Sequence, residues 1–229
     1  MLALIQKEIR VLFALPIFAV AAGLFLFLTG FVFTASVTQG HPLPEASIRG
    51  MIYFMALVLL FIAPLLTMRS FAEEKKLGTM ELLKTSPISD LKIVLAKYLG
   101  LLFLLGLILL LTVEFPIFIL LTGDPDLWPM VLAYLGLFLL GGSFIAIGLF
   151  MSVLTQSQII AALLTFVATI LLWFLGEMGG EIGRKISIIE PIQSFSLGVL
   201  DAADLAYYLL MIFVFLFLTW RVLEAERWR

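Results

Sequence analysis

Long apolar blocks alternate with short polar ones along this chain. Val11–Ala35 runs for 25 residues without a charge. The apolar core of a secretion signal is about 7–15 residues, whereas a helix that crosses a bilayer needs about 20. The block therefore reads as a retained transmembrane helix. Met51–Met68 is a second block, ended by Arg69, and Ile93–Gly123 is a third, interrupted by Lys97 and Glu114. Leu127–Gly176 carries no charge across 50 residues, far too long for one crossing at about 1.5 Å per residue. Its polar knot Thr155, Gln156, Ser157, Gln158 divides it into two, and Leu205–Trp220 is the last block. The pattern predicts an all-α integral membrane protein with six transmembrane helices, at 11–35, 51–69, 93–123, 127–154, 159–176 and 205–221.

The polar segments between these blocks predict further elements. Residues 1–10 place Leu2, Ile5 and Ile9 at helical spacing, with Gln6, Lys7, Glu8 and Arg10 on the other face. That suits a helix lying in the membrane interface, or else the end of the first span. Between spans two and three lies a charged island in which Glu73 and Glu74 precede Lys75 and Lys76, and Lys84 closes the run. Acids early and bases late complement a helix dipole, and Thr85-Ser86-Pro87 stops the helix because proline disfavours helical geometry before it. A helix is expected over 73–85, with Ser89 capping the next one. The segment 177–204 is longer than a turn and rich in Gly and apolar residues, so short re-entrant helices are expected there rather than a plain loop.

Charge places these elements. With the N-terminus in the cytoplasm, Lys7, Arg10, Arg69, Lys75, Lys76, Lys84, Lys92, Lys97, Arg221, Arg227 and Arg229 lie inside. Only Arg49, Arg184 and Lys185 lie outside, a clear positive-inside bias. Both termini are expected in the cytoplasm. The composition, 63% hydrophobic and 13% charged, excludes a soluble domain.

Candidate chemistry is sparse. There is no cysteine, and the one histidine, His41, sits in a polar loop. Neither a catalytic nor a metal site is expected, nor any nucleic-acid surface. No G-x-x-x-x-G-K-[ST] occurs, since Gly180, Gly183, Arg184 and Lys185 lack the spacing. Glu114 is the acid placed well inside a span, with Pro116 two residues on to loosen the helix. An ionisable group at that depth marks either a functional site or a residue shielded at a helix–helix contact. Gly142/Ala146 and Gly148/Ser152 follow small-xxx-small spacing, which serves a dimer seam or, as expected here, internal packing.

The island, Glu73-Glu74-Lys75-Lys76-Leu77-Gly78-Thr79-Met80-Glu81-Leu82-Leu83-Lys84-Thr85-Ser86-Pro87, resembles the diagnostic segment of ABC-2-type export permeases. Lys7-Glu8-Ile9-Arg10 with Phe13 and Pro16 resembles the opening helix of that family, and Pro191–Asp201 with Asp204 and Tyr207 is similar to its gliding-motility (Gld-type) subgroup. The resemblance implies a permease subunit of the bacterial inner membrane, paired with a second copy or a related permease, in some complexes with an accessory membrane subunit. It implies a separate ABC ATPase that binds ATP and Mg, while this chain binds no cofactor. It assigns ATPase coupling to Glu73, Glu74, Lys75, Lys76, Gly78, Thr79, Glu81, Leu82, Leu83 and Thr85. A stand-alone secondary transporter or channel and a membrane scaffold are the alternatives.

Overall fold

The computed structural model describes residues 2–14, 16–38, 44–80, 89–122, 126–178 and 180–227. Among the described residues there are helices and no strands. In chain order they are α1 (Leu2–Ala14), α2 (Pro16–Thr38), α3 (Pro44–Thr67), α4 (Ala72–Lys76), α5 (Asp90–Leu111), α6 (Glu114–Thr122), α7 (Leu127–Val153), α8 (Gln158–Met178), α9 (Gly180–Ile186), α10 (Glu190–Ser196) and α11 (Ala202–Arg227). Among the described residues, six stretches are long and apolar enough to cross a membrane: Pro16–Ala35, Arg49–Lys76, Asp90–Leu121, Leu127–Val153, Gln158–Gly176 and Ala202–Glu226.

α7, the fourth span, is the hub. It packs against α3, α5, α8, α10 and α11, and 72% of its most apolar window is buried against 11% for the sixth span. Close approach explains this centrality. A Cβ on Gly141 would lie 2.7 Å from Leu105 of α5, one on Gly148 2.1 Å from Oγ1 of Thr67 in α3, and one on Gly136 2.8 Å from Phe195 of α10. In hydrocarbon, helices attract through such packing rather than through a hydrophobic effect, so small residues mark the contacts. Gly142 faces Tyr98 and Leu102 of α5 within the same chain, so the small residues of this span serve internal packing.

Three of the elements that differ from the expectation do so for a clear local reason. The first helix continues past residue 10 to Ala14, and the first spanning helix begins at Pro16, not at residue 11. Proline fits the first turn of a helix because its missing N–H would be unpaired there anyway. The third span is two helices rather than one over 93–123. Pro116 has no N–H to offer the Thr112 carbonyl four residues earlier, so regular bonding lapses at Thr112–Val113. The Tyr134 hydroxyl of α7 donates to that carbonyl at 2.9 Å, and the Phe115 N–H reaches it at 3.1 Å in a tighter turn. A buried carbonyl is thus kept satisfied across two helices.

The third difference concerns 73–85. The helix that holds Glu73 ends at Lys76, and Gly78 takes a left-handed φ of 70°. Glycine adopts that conformation without a Cβ penalty and therefore terminates helices. Helical geometry resumes at Thr79–Met80. Glu81, Leu82, Leu83 and Thr85 lie outside the described residues, as does His41.

In the segment 177–204, α9 and α10 pack onto the bundle. Ile192 and Phe195 of α10 are buried against Gly136. The Tyr208 hydroxyl of α11 donates to the Ile188 carbonyl at 3.0 Å, and Tyr207 donates to Ile186 at 2.6 Å.

Candidate functional site

The start of the island, from Arg69 on, is pinned to four other helices and, through Lys97, to a fifth. Phe71 and Ala72 are fully buried at its start, and their N–H groups have no partner inside so short a helix. Ser152, in the last turn of α7, supplies one. Its Oγ accepts from the Phe71 N–H at 3.1 Å and the Ala72 N–H at 3.2 Å, and donates to the Met68 carbonyl at 3.3 Å. One hydroxyl from the fourth span therefore caps the island helix and holds the end of the second span.

Charged side chains complete the attachment. Lys75 bonds the Val153 carbonyl of α7 and the carboxylate of Glu226 in α11. Arg69 donates to Gln158 of α8 at 3.2 Å and lies 3.9 Å from Glu73. Lys97 of α5 is the most enclosed of these groups, its side chain only 4% exposed. Its Nζ meets Glu74 at 2.7 Å and Glu8 of α1 at 3.3 Å, and sits 5.3 Å from the centre of the Phe71 ring. α1 reaches this position because Gly100 of α5 leaves room for the Glu8 side chain, 3.4 Å from where a Cβ would stand.

Of the sequence-derived residues, the structure brings Glu8, Glu73, Glu74 and Lys75 together here. Lys7 and Arg10 are exposed on the other face of α1. Lys76, Gly78 and Thr79 are also exposed, beside a Leu77 that is 67% exposed. Glu114 lies apart from the cluster, on the exposed side of α6. Among the described residues, no helix encloses it.

Sequence reasoning missed Ser152, Gln158 and Glu226 as partners of the island, and used Lys97 only as a topological charge. A signal existed for Lys97, because a lysine within an apolar run must find a counter-charge. Gln158 was read only as a break between spans.

Replacing Ser152 with alanine should strip two N–H groups of their acceptor. The expected cost is about 0.5–2 kcal/mol, the usual range for a lost helix cap. Hydrogen exchange at the Phe71 and Ala72 amides should accelerate while α7 stays protected. Unchanged exchange there would show that the cap does not hold the island.

Six stretches long and apolar enough to cross a membrane, with a polar cluster tying several of their ends together, describe a multi-pass membrane protein. Residues 34–223, most of the chain, match the family described as ABC-2 family transporter protein. The chain belongs to the ABC-2 family of transporter membrane proteins, whose role is that of a permease. Among curated proteins, none matches it.

Proposed function

We propose that this chain is the membrane subunit of an ATP-driven exporter, and that the island from Glu73 to Thr85 is where a separate ABC ATPase docks. One observation carries the reading. Arg69–Lys75 is bonded to α5, α7, α8 and α11, and through Lys97 to α1, while Lys76–Thr79 stand exposed just beyond it. A push delivered to the exposed part reaches the ends of four spans at once through named bonds. ATP and Mg bind to the partner, and nucleotide there biases the permease between conformations. The charge asymmetry supports an island and termini on the cytoplasmic side of a bacterial inner membrane. A second copy or a related permease completes the path. The outward position of Glu114 supports such a partner, since a carboxyl at that depth needs a protein surface or a proton to cover its charge. Similarity of the segment Pro191–Asp201 supports the gliding-motility subgroup, without its biological role.

The test is affinity purification of tagged protein from native membranes in mild detergent, with mass spectrometry of what is retained. A P-loop ATPase should co-purify. Gly78→Pro forces φ from 70° to about −65° and removes an N–H bonded to the Lys75 carbonyl at 3.3 Å. It should lower the retained ATPase about tenfold, within the usual range of coupling between sites. Glu81→Lys should act likewise, and both variants should insert normally. Recovery of no ATPase in several detergents would overturn the reading in favour of a stand-alone transporter or scaffold.

A further inference from the structure

At the membrane face opposite the island, a cavity of about 290 Å³ lies between the start of the second span and α10. Arg49, Tyr53 and Gln193 line it, over a floor of Ile52, Ile192 and Leu197. No carboxylate lines it among the described residues. The guanidinium of Arg49, the carboxamide of Gln193 and the hydroxyl of Tyr53 make no hydrogen bond or ion pair among those residues, so three donors face the cavity unspent. The neighbouring cavity of about 360 Å³ differs in this respect. There Arg184 and Lys185 are balanced by Glu190 and Asp204, with Arg184 3.4 Å from Glu190. Of the two, the Arg49 cavity carries a positive charge that no carboxylate among the described lining residues balances.

An apolar track leads away from it. Tyr53, Leu57 and Phe61 are all exposed and follow Arg49 at four-residue steps along α3, so the four form one ridge that winds slowly around the helix. The ring of Trp173 stands edge-on to Tyr53 at 5.4 Å, and Phe166 lies 5.1 Å from Phe61, both from α8. From Arg49 to Phe61 the helix rises about 18 Å, close to the roughly 15 Å depth of one leaflet's hydrocarbon. A cation at headgroup level above an apolar track one leaflet deep matches one ligand shape.

We propose that this cavity binds an anionic phospholipid of the leaflet opposite the island, its phosphate on Arg49 and Gln193 and an acyl chain along Tyr53, Leu57 and Phe61. A single guanidinium at a water-exposed edge holds a free anion weakly, whereas the track adds apolar contact that only a lipid supplies. The site needs neither the ATPase nor a particular export substrate.

Thermal unfolding of the purified full-length protein in detergent, titrated with lipid, tests this. Phosphatidylglycerol should raise the unfolding temperature more than phosphatidylcholine does. Arg49→Gln should need about tenfold more phosphatidylglycerol for the same rise, the loss of one charge-assisted contact. Arg49→Lys should fall between, and Arg184→Gln should titrate as the unmodified protein. Glycerol phosphate alone should produce no rise. Equal titration of Arg49→Gln and the unmodified protein would overturn the proposal, and so would equal responses to the two lipids. A rise with glycerol phosphate alone would replace it with a free-anion site. A changed oligomeric state in Arg49→Gln with unchanged lipid response would instead make the cavity an interface between copies.

Discussion

Valine at position 148 should separate the second span from the fourth and cost the bundle a large part of its stability. A Cβ there would lie 2.1 Å from Oγ1 and 2.7 Å from Cβ of Thr67. A rotamer change would clear the first contact but not the second, so the two backbones must part. Thr67 has little freedom to yield, being fully buried with its hydroxyl bonded to the Ala63 carbonyl at 2.8 Å. Overpacking a filled core typically costs about 1–3 kcal/mol and can exceed it, and Gly148→Val is expected at or above the top of that range. Gly23→Val is the control, because nothing lies within 4 Å of that position. Unfolding midpoints in detergent compare the two, and equal midpoints would remove Gly148 from its place at the crossing.

The second large effect is expected at Lys97. Changing it to methionine keeps most of the length of the side chain but leaves the carboxylates of Glu8 and Glu74 facing each other without their shared cation. Both are mostly enclosed, at 13% and 21% side-chain exposure. Breaking an enclosed ion pair from one side costs about 3–5 kcal/mol, because a charge stays behind without a partner. The break should also free α1 from α5, visible as faster proteolysis near residues 7–10. Adding Glu8→Gln and Glu74→Gln to the methionine variant should recover most of the loss, since no carboxylate then needs a cation. Failure of that triple variant to recover, or a methionine variant as stable as the unmodified chain, would show that the cluster is not an electrostatic tie.

The two sites also mark how far a sequence of this kind can be read. Number of spans and polar gaps were legible, because a bilayer demands about 20 apolar residues per crossing and charge ends each run. Breaks set by one residue were less so. Gly78, Pro16 and Pro116 each stood in plain view, yet what they interrupt depends on local bonding, such as the Tyr134 hydroxyl at the Thr112 carbonyl. The faces of the helices were not legible at all. Lipid and protein interior are equally apolar, so the spans show no stripe to tell a packed side from a lipid side. Gly148 could be picked out by spacing, but Thr67 as its neighbour could not. At the island the charges were visible in one stretch of sequence, whereas Ser152, Lys97, Gln158 and Glu226 come from four separate helices that only folding brings together.

The unequal burial of the six spans bears on how such a sequence can drift. In the second and fourth spans 67% and 72% of the apolar window is enclosed, against 22% in the first and fifth and 11% in the sixth. Substitution in the enclosed pair is constrained by shape, residue against residue, as at Gly148 and Thr67. In the outer spans the constraint is solubility in lipid, which leucine, phenylalanine, valine and isoleucine meet about equally well. Diverged copies of this chain should therefore exchange large apolar residues freely along the first, fifth and sixth spans. They should keep their small residues along the fourth. In a protein so uniformly apolar, the pattern of tolerated change would trace the packing that hydropathy hides.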